Sequence, residues 1–320
     1  MSTQSAPELR ETHVKSFVME FYRGRGYFVS KHEFNVSVKP DLAAFRWNDD
    51  FTIECVAVEC KGKISARGLA GRALEQALNY QPWFSMVYIA SLAAKGDDKL
   101  MNTAEVISRV YGVGYIPVYE DGVIEGSIVK PATNLRLDRE NFLNTRNRAA
   151  LLLTYRELKG TDEFPHSVEE PGKIWCSTKE GVGLTTSNLY YGGDYYAGIN
   201  IEKVDNVKRT LLRADRAELF EALRGLPEGY YVKLIAVESY RPPVYMDMLT
   251  KSVDDLRPED VEYLIEASKR RSGSVNLHIH RLVWRKYEVL SRQECLERIR
   301  TVARELSTVA EVLKVDLALT

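Results

Sequence analysis

Cysteine is scarce in this 320-residue chain: Cys55, Cys60, Cys176 and Cys295 are all it has, and they are scattered. No two form a Cys-x-x-Cys pair, and their density is far below that of a disulfide scaffold. Net charge is nearly absent too, since 44 Lys and Arg against 45 Asp and Glu leave −1. No global field draws anions to the protein, so a nucleic-acid site has to be a local patch. Long apolar runs are missing. Ser85–Ala94 is among the longest, and it falls short of the ~18 residues of a membrane span. The first residues, MSTQSAPELRETH, lack an apolar stretch behind a basic start and do not read as a secretory leader. Reduced thiols, a cytoplasmic location and no membrane partner are the expectation. No Walker A lysine motif occurs, and Gly112-x-Gly114 is too short for a dinucleotide loop. No nucleotide cofactor is therefore expected.

What remains is an ordinary globular composition, with 45% hydrophobic and 28% charged residues. At about 150 residues per domain, the length suggests two. Pro7–Gly26 reads as a helix, with Leu9, Val14, Phe17, Val18 and Phe21 at three- and four-residue spacing. Tyr27–Phe34, Val38–Trp47 and Phe51–Lys61 read as strands, Ala66–Tyr80 as a helix closed by Pro82, and Phe84–Ala90 as an apolar strand. Asn102 is placed to cap a helix running to Tyr111. Tyr115–Tyr119 and Val123–Lys130 flank a turn at Asp121-Gly122. This order predicts an α/β unit with a mixed central sheet covered by helices. After Asn134 a helix follows with six cations, Arg136, Arg139, Arg146, Arg148, Arg156 and Lys159. Thr161–Gly172 reads as a polar linker. Beyond it, β structure over Lys173–Lys203, helices over Asn206–Leu226, Leu256–Arg271 and Ser291–Leu313, and strands over Tyr230–Ser239 and Ser274–Leu290 predict an α+β domain. The expected division is 1–133, a basic helical connector over 134–160, and 161–320.

The chemically informative stretch is Lys39–Lys63. With Asn48, Asp49 and Asp50 as the loop of a hairpin, Trp47 faces Phe51, Phe45 faces Ile53, Ala43 faces Cys55 and Asp41 faces Ala57. Side chains alternate between faces, so Asp41, Ala57, Glu59 and Lys61 share one. Asp41 and Glu59 are then diagonal neighbours, roughly 7–8 Å apart at the backbone. Two carboxylates that close repel each other unless a cation sits between them. Such oxygen ligands suit Mg²⁺, which keeps waters and phosphate oxygens in its shell. Lys61 adds an ammonium that can stabilise charge growing on a phosphate. In the next helix Gly68, Arg72, Gln76 and Tyr80 lie four apart, and so form one stripe in a regular helix. Arg72 and Gln76 could hold a phosphate or a water there.

Pro40-Asp41 followed by Glu59-Cys60-Lys61 resembles the PD-(D/E)XK motif of restriction-endonuclease-like nucleases. Gln76-Ala77-Leu78-Asn79-Tyr80 resembles the Gln-x-x-x-Tyr motif of that superfamily's RecB-like branch. The likeness covers about residues 7–130 and implies a restriction-endonuclease-like core of order αβββαβ. It implies a Mg²⁺-dependent DNA endonuclease, with Mn²⁺ able to substitute. Asp41, Glu59 and the Cys60 backbone carbonyl would bind metal, and Lys61 would orient or activate water, with Gln76 beside it. Glu11 is the best candidate for a further ligand from the first helix, in competition with Glu8 and Glu20. Arg72, Tyr80, Lys63, Arg146 and Arg148 are the candidate DNA contacts. A homodimer is expected for double-strand cleavage. Some RecB-like relatives carry an iron–sulfur cluster on a late cysteine triplet; with Cys176 and Cys295 isolated, none is expected here.

Simpler readings stand beside these. Asp41 can be a strand-edge carboxylate, Glu59 the partner of Lys61 or of a helix cation, and Gln76 and Tyr80 packing residues. A catalytically silent nucleic-acid binder is the alternative function. His278 and His280 alternate on one strand face without a third ligand in view, so packing is the expectation for them. Tyr190, Tyr191, Tyr195 and Tyr196 around Gly192-Gly193 read as a tyrosine-rich hairpin. Lys269, Arg270, Arg271, Arg281, Arg285 and Lys286 form a basic run that either meets phosphates or is a solvated surface.

Overall fold

The computed structural model describes residues 6–30, 38–119, 122–123, 128–170, 173–178, 183–185, 194–201, 204–240, 243–270 and 274–314. The chain divides into two units, Met1–Leu153 and Thr154–Thr320. Their boundary falls inside one helix rather than at either end of the expected connector.

The first unit is α/β. Helix α1 (Ala6–Arg23) precedes strands β1 (Phe28–Ser30), β2 (Leu42–Trp47) and β3 (Ile53–Lys63). Short helices α2 (Ala66–Gly68) and α3 (Leu74–Leu78) lead to β4 (Met86–Leu92). Helix α4 (Asp98–Tyr111) leads to β5 (Gly114–Tyr119) and β6 (Gly122–Val123). The six strands form one sheet in chain order. Neighbours are antiparallel except for β3 with β4 and β4 with β5, which are parallel. Parallel strands need crossovers, which α2–α3 and α4 provide. β4 lies inside that parallel part, and Val87, Tyr88, Ile89, Ala90 and Ser91 are all buried, as strands covered on both faces require.

One sheet face packs on α1. Val14, Val18 and Tyr22, spaced four apart, meet Leu42, Ala44, Val56, Val58, Cys60, Tyr88 and Ala90. Fully burying one such side chain contributes about 1.5–3 kcal/mol. By strand alternation Ala43, Phe45, Ala57, Glu59 and Ile89 belong to the other face, where Phe45 stacks on Phe84 at 6.3 Å. Helix α4 starts earlier than its sequence suggests. The Asp97 carboxylate caps it by accepting from the Leu100 amide at 3.1 Å, so Asn102 is simply a helical residue. Gly112 ends it at φ +65°, a left-handed conformation that favours glycine.

Helix α5 (Arg139–Leu158) crosses the boundary between the units. The second unit holds β7 (His166–Glu170), β8 (Lys173–Ser177), β9 (Gly183–Thr185), β10 (Tyr195–Ile201), α6 (Val204–Arg213), α7 (Arg216–Arg224), β11 (Tyr230–Tyr240), β12 (Pro243–Ser252), α8 (Pro258–Arg270), β13 (Ser274–Trp284), α9 (Arg292–Glu305) and α10 (Ser307–Leu313). β7, β8 and β9 form a three-stranded sheet, and the others an antiparallel sheet of order β10-β13-β11-β12. Three expectations are corrected. The supposed polar linker contains β7, and β12 occupies a stretch with no assigned element. The helix expected over 206–226 is two, because the Asp215 side chain caps a new one through the Ala217 and Glu218 amides. Among the described residues no helix is long and apolar enough to cross a membrane.

Candidate functional site

The β2–β3 hairpin sets the geometry. Its ladder pairs Trp47 with Ile53, Phe45 with Cys55, Ala43 with Ala57 and Leu42 with Val58. This register is shifted by two residues from the expected one. The cause is a five-residue connection, Asn48–Thr52, closed by the Asn48 amide on the Thr52 carbonyl at 2.9 Å. The Asp49 carboxylate braces it, accepting from the Phe51 and Thr52 amides at 2.8 Å each and the Thr52 hydroxyl at 2.6 Å. An even shift keeps every side chain on its face. The ladder ends at Leu42 and Val58, so Asp41 sits one residue before β2, where its carboxylate reaches the Cys60 amide beside Glu59.

Each oxygen of these two carboxylates has a donor. Asp41 Oδ2 accepts from the Cys60 amide at 2.7 Å, and Oδ1 meets Lys15 Nζ at 2.8 Å. Glu59 Oε1 meets the Lys61 ammonium, and Oε2 accepts from the Tyr80 hydroxyl at 2.6 Å. Tyr80 Oη also lies 3.3 Å from the Lys39 carbonyl. Lys15 holds Glu11 Oε1 at 3.0 Å, one turn back on α1. Three carboxylates thus face two ammonium groups, one negative charge in excess. Glu59 is 3% exposed, and a carboxylate that deep persists only with partners of this kind.

Burial opposes the charge on Lys15, but its hydrogen bonds to Asp41 and Glu11 outweigh that and hold its ammonium above the ordinary lysine range. Burial, reinforced by the Glu59 carboxylate, pushes the Tyr80 phenol well up, so it stays a donor. Burial and the nearby Asp41 charge do the same to the Cys60 thiol. Since the thiolate is the ligand and nucleophile, the Cys60 side chain takes no such role here.

The helix after β3 is not regular. Ser65 caps it through the Gly68 amide at 3.2 Å. A wide π-type turn then spans Leu69–Ala73, with Gly71 at φ −102° and ψ −121°. This break removes the expected stripe, since Gly68 and Arg72 lie on different sides of Gly71. Arg72 is exposed. Gln76 is half-buried, and its Oε1 is buried with no hydrogen-bond partner. Tyr80 lies beyond α3, is buried, and spends its hydroxyl on Glu59. It is therefore not an open DNA contact.

Arg146 is corrected as well. It is 4% exposed, donates to the Phe51 carbonyl at 2.6 Å and to Asn147 Oδ1 at 3.0 Å, and lies over the Trp47 ring. Its guanidinium anchors α5 to the β2–β3 loop and is closed to a phosphate. Arg148 is half-buried and Lys63 exposed. Glu20 faces Arg23 at 3.6 Å, leaving Glu11 as the α1 carboxylate linked to Asp41. The Glu8, Lys269 and Arg270 side chains, like Tyr190, Tyr191, Gly192, Gly193 and Arg271, lie outside the described set. His278 and His280 are buried beside Lys233 in the second unit. Among the described residues no three His, Cys, Asp or Glu side chains are grouped as ready metal ligands. Sequence reading misses Lys15. Its only local signal is the four-residue spacing from Glu11, and its pairing with Asp41 is tertiary.

Comparison with protein-family models, with curated proteins and with solved structures finds no match to this chain.

Proposed function

We propose that the first unit is a metal-dependent DNA endonuclease, its centre built on Asp41, Glu59 and Lys61. The observation that carries this reading is a buried Glu59 bearing the Lys61 ammonium, with the Asp41 carboxylate held on the amide of the intervening Cys60. The order helix, three strands, helix, strand around it resembles a restriction-endonuclease-like core. The donors fit a hard divalent cation. Asp41, Glu59 and the Cys60 carbonyl offer oxygens, the thiol stays protonated, and the cluster carries excess negative charge. Mg²⁺ completes its shell with waters and phosphate oxygens, so two carboxylates suffice. Bound there, Mg²⁺ or Mn²⁺ would supply Lewis-acid stabilisation of the phosphate and a more acidic water.

The chain's own groups do the rest. The Cys60 amide fixes Asp41, and the Tyr80 hydroxyl fixes Glu59. Lys61 places positive charge where the attacking water and the phosphate oxygens meet, stabilising charge that grows as the P–O bond breaks. Gln76, with its unpaired carbonyl oxygen, is the acceptor offered for a water. Lys63 and Arg72 contact the DNA backbone. The second unit serves DNA recognition or self-association, and a homodimer would cut both strands. Incubation with circular, linear, branched and single-stranded DNA plus Mg²⁺ tests the reading. Cleavage by the wild type, lost in Asp41→Ala and in Lys61→Ala with circular dichroism unchanged, supports it. Equal cutting by all three proteins refutes it.

A second reading is a nuclease-like unit that binds nucleic acid without cutting. It is favoured by the closed ion-pair network, in which every oxygen of Asp41 and Glu59 already has a protein donor. Retained DNA affinity with neither Mn²⁺ binding nor nicking would select it.

A further inference from the structure

We propose that Lys15 is the resident counter-ion of Asp41, and that Asp41 Oδ1 is free to ligate a divalent cation only once Lys15 has withdrawn toward Glu11. This rests on the metal-dependent reading above.

Four donors hold the carboxylate pair, and they are not equivalent. The Cys60 amide on Asp41 Oδ2 is backbone and cannot leave without disturbing β3. Tyr80, on Glu59 Oε2, is buried. Lys61, on Glu59 Oε1, has no second carboxylate among the described residues. Lys15 alone of the four bridges two, with Asp41 Oδ1 at 2.8 Å and Glu11 Oε1 at 3.0 Å. Its side chain is one-third exposed, and that of Glu11 slightly more. The ammonium therefore has room to move and an anion to keep when it lets go of Asp41. An ammonium and a divalent cation on one oxygen repel each other strongly. Withdrawal is thus a condition of ligation, and Glu11 is the positioning residue that receives the lysine. Lys15 also lowers the cost of holding Glu11 and Asp41 near one another, since like charges that close raise one another's cost.

The test uses the full chain with Mn²⁺ alone as probe. Binding is followed by the loss of the free-ion paramagnetic resonance signal, and melting is measured in EDTA and in Mn²⁺. Lys15→Met should bind Mn²⁺ about tenfold tighter than the wild type, because a competing charge is gone. It should melt lower in EDTA and gain more from Mn²⁺ than the wild type does. Lys15→Gln, which keeps a donor without the charge, repeats the test with less risk to the fold. Lys15→Arg should restore wild-type affinity. Asp41→Asn should abolish the tight site in either background. Affinity in Lys15→Met and Lys15→Gln equal to or weaker than wild type, with Asp41→Asn still abolishing binding, overturns the proposal and leaves the metal reading standing. No Mn²⁺ binding by any of these proteins, or binding indifferent to Asp41→Asn, overturns both.

Discussion

Glu59 in the first unit and His278 in the second are buried to similar depth, at 3% and 7% exposed, and their surroundings treat charge in opposite ways. Glu59 keeps company that suits an anion, with the Lys61 ammonium on one oxygen and the Tyr80 hydroxyl on the other. His278 lies across from Lys233 in the β11–β13 ladder, and the Lys233 ammonium is paired with Asp247 at 2.9 Å. Desolvation first, then Lys233, pulls His278 down to about 4. Desolvation, His278 and Lys233 pull His280 down to about 3. One sheet thus buries a carboxylate among its donors, and the other buries neutral rings beside the Lys233–Asp247 ion pair. A paired buried charge is held at a cost that its partners must offset. A neutral buried imidazole packed against aromatic neighbours, as His280 is against Tyr196 at 5.0 Å and Tyr231 at 6.3 Å, is part of a core.

The largest effect expected from this contrast is on activity. Asp41→Ala or Lys61→Ala should lower Mg²⁺-dependent DNA cleavage by at least about a hundredfold, as removal of a preorganised electrostatic group does elsewhere. His278→Asn should leave cleavage within about twofold of the wild type. Nicking of circular DNA, run side by side, measures both. A large loss in His278→Asn would break the comparison.

Next comes acid stability, which belongs to the second unit. Unfolded histidine takes up a proton near pH 6.5, whereas His278 and His280 resist it down to about 4 and 3. A depressed folded value means stability that is full above about pH 6.5 and lost as the pH falls toward the folded values. By pH 5 linkage puts the loss at up to about 2 kcal/mol per histidine. Denaturant midpoints between pH 7 and pH 5 should fall in the wild type and fall less in His278→Asn. Parallel curves would show that these rings do not dominate the acid response.

Removing a hydroxyl at Tyr80 is a smaller change. Tyr80→Phe leaves Glu59 Oε2 buried and short of a donor, a loss of about 1–3 kcal/mol, measurable as a lower denaturant midpoint. If stability is unchanged, Glu59 has another route to solvation.

How far the sequence reveals this is instructive at particular residues. Parity along β2 and β3 is legible because alternation is strict, and a register error of two residues leaves every paired side chain on its face, with Glu59 and Lys61 together; Asp41 falls just before the ladder. The error itself arose at Asp49, whose side chain closes a wider loop than the run Asn48-Asp49-Asp50 announces. The helix after β3 was legible from its apolar spacing, but the wide turn at Gly71 was not. One glycine inside a helical pattern does not say whether the helix bends, and the expected polar stripe failed there. Lys15 escapes sequence reading and Arg146 is misassigned by it for a shared reason. Whether a cation is spent on a tertiary partner, Asp41 for one and the Phe51 carbonyl for the other, is decided by chain segments far apart in sequence.

That last distinction yields the smallest effect, and it separates exposed cations from buried ones. Lys63 and Arg72 are exposed and have no partner among the described residues, so Lys63→Ala and Arg72→Ala should each change stability by no more than about 0.5 kcal/mol. If they meet phosphates, each should weaken DNA binding evenly across sequences. Each should also flatten the plot of log affinity against log salt by about one unit. Arg146→Met should do the reverse. It gives up the bonds to the Phe51 carbonyl and Asn147, so it should lower stability while leaving any salt slope alone, because its guanidinium is buried and spent inside the fold. Affinity of the three variants measured at several salt concentrations reads out both sides at once. A salt slope that moves in Arg146→Met and stays fixed in the other two would exchange the roles assigned to the buried and the exposed cations.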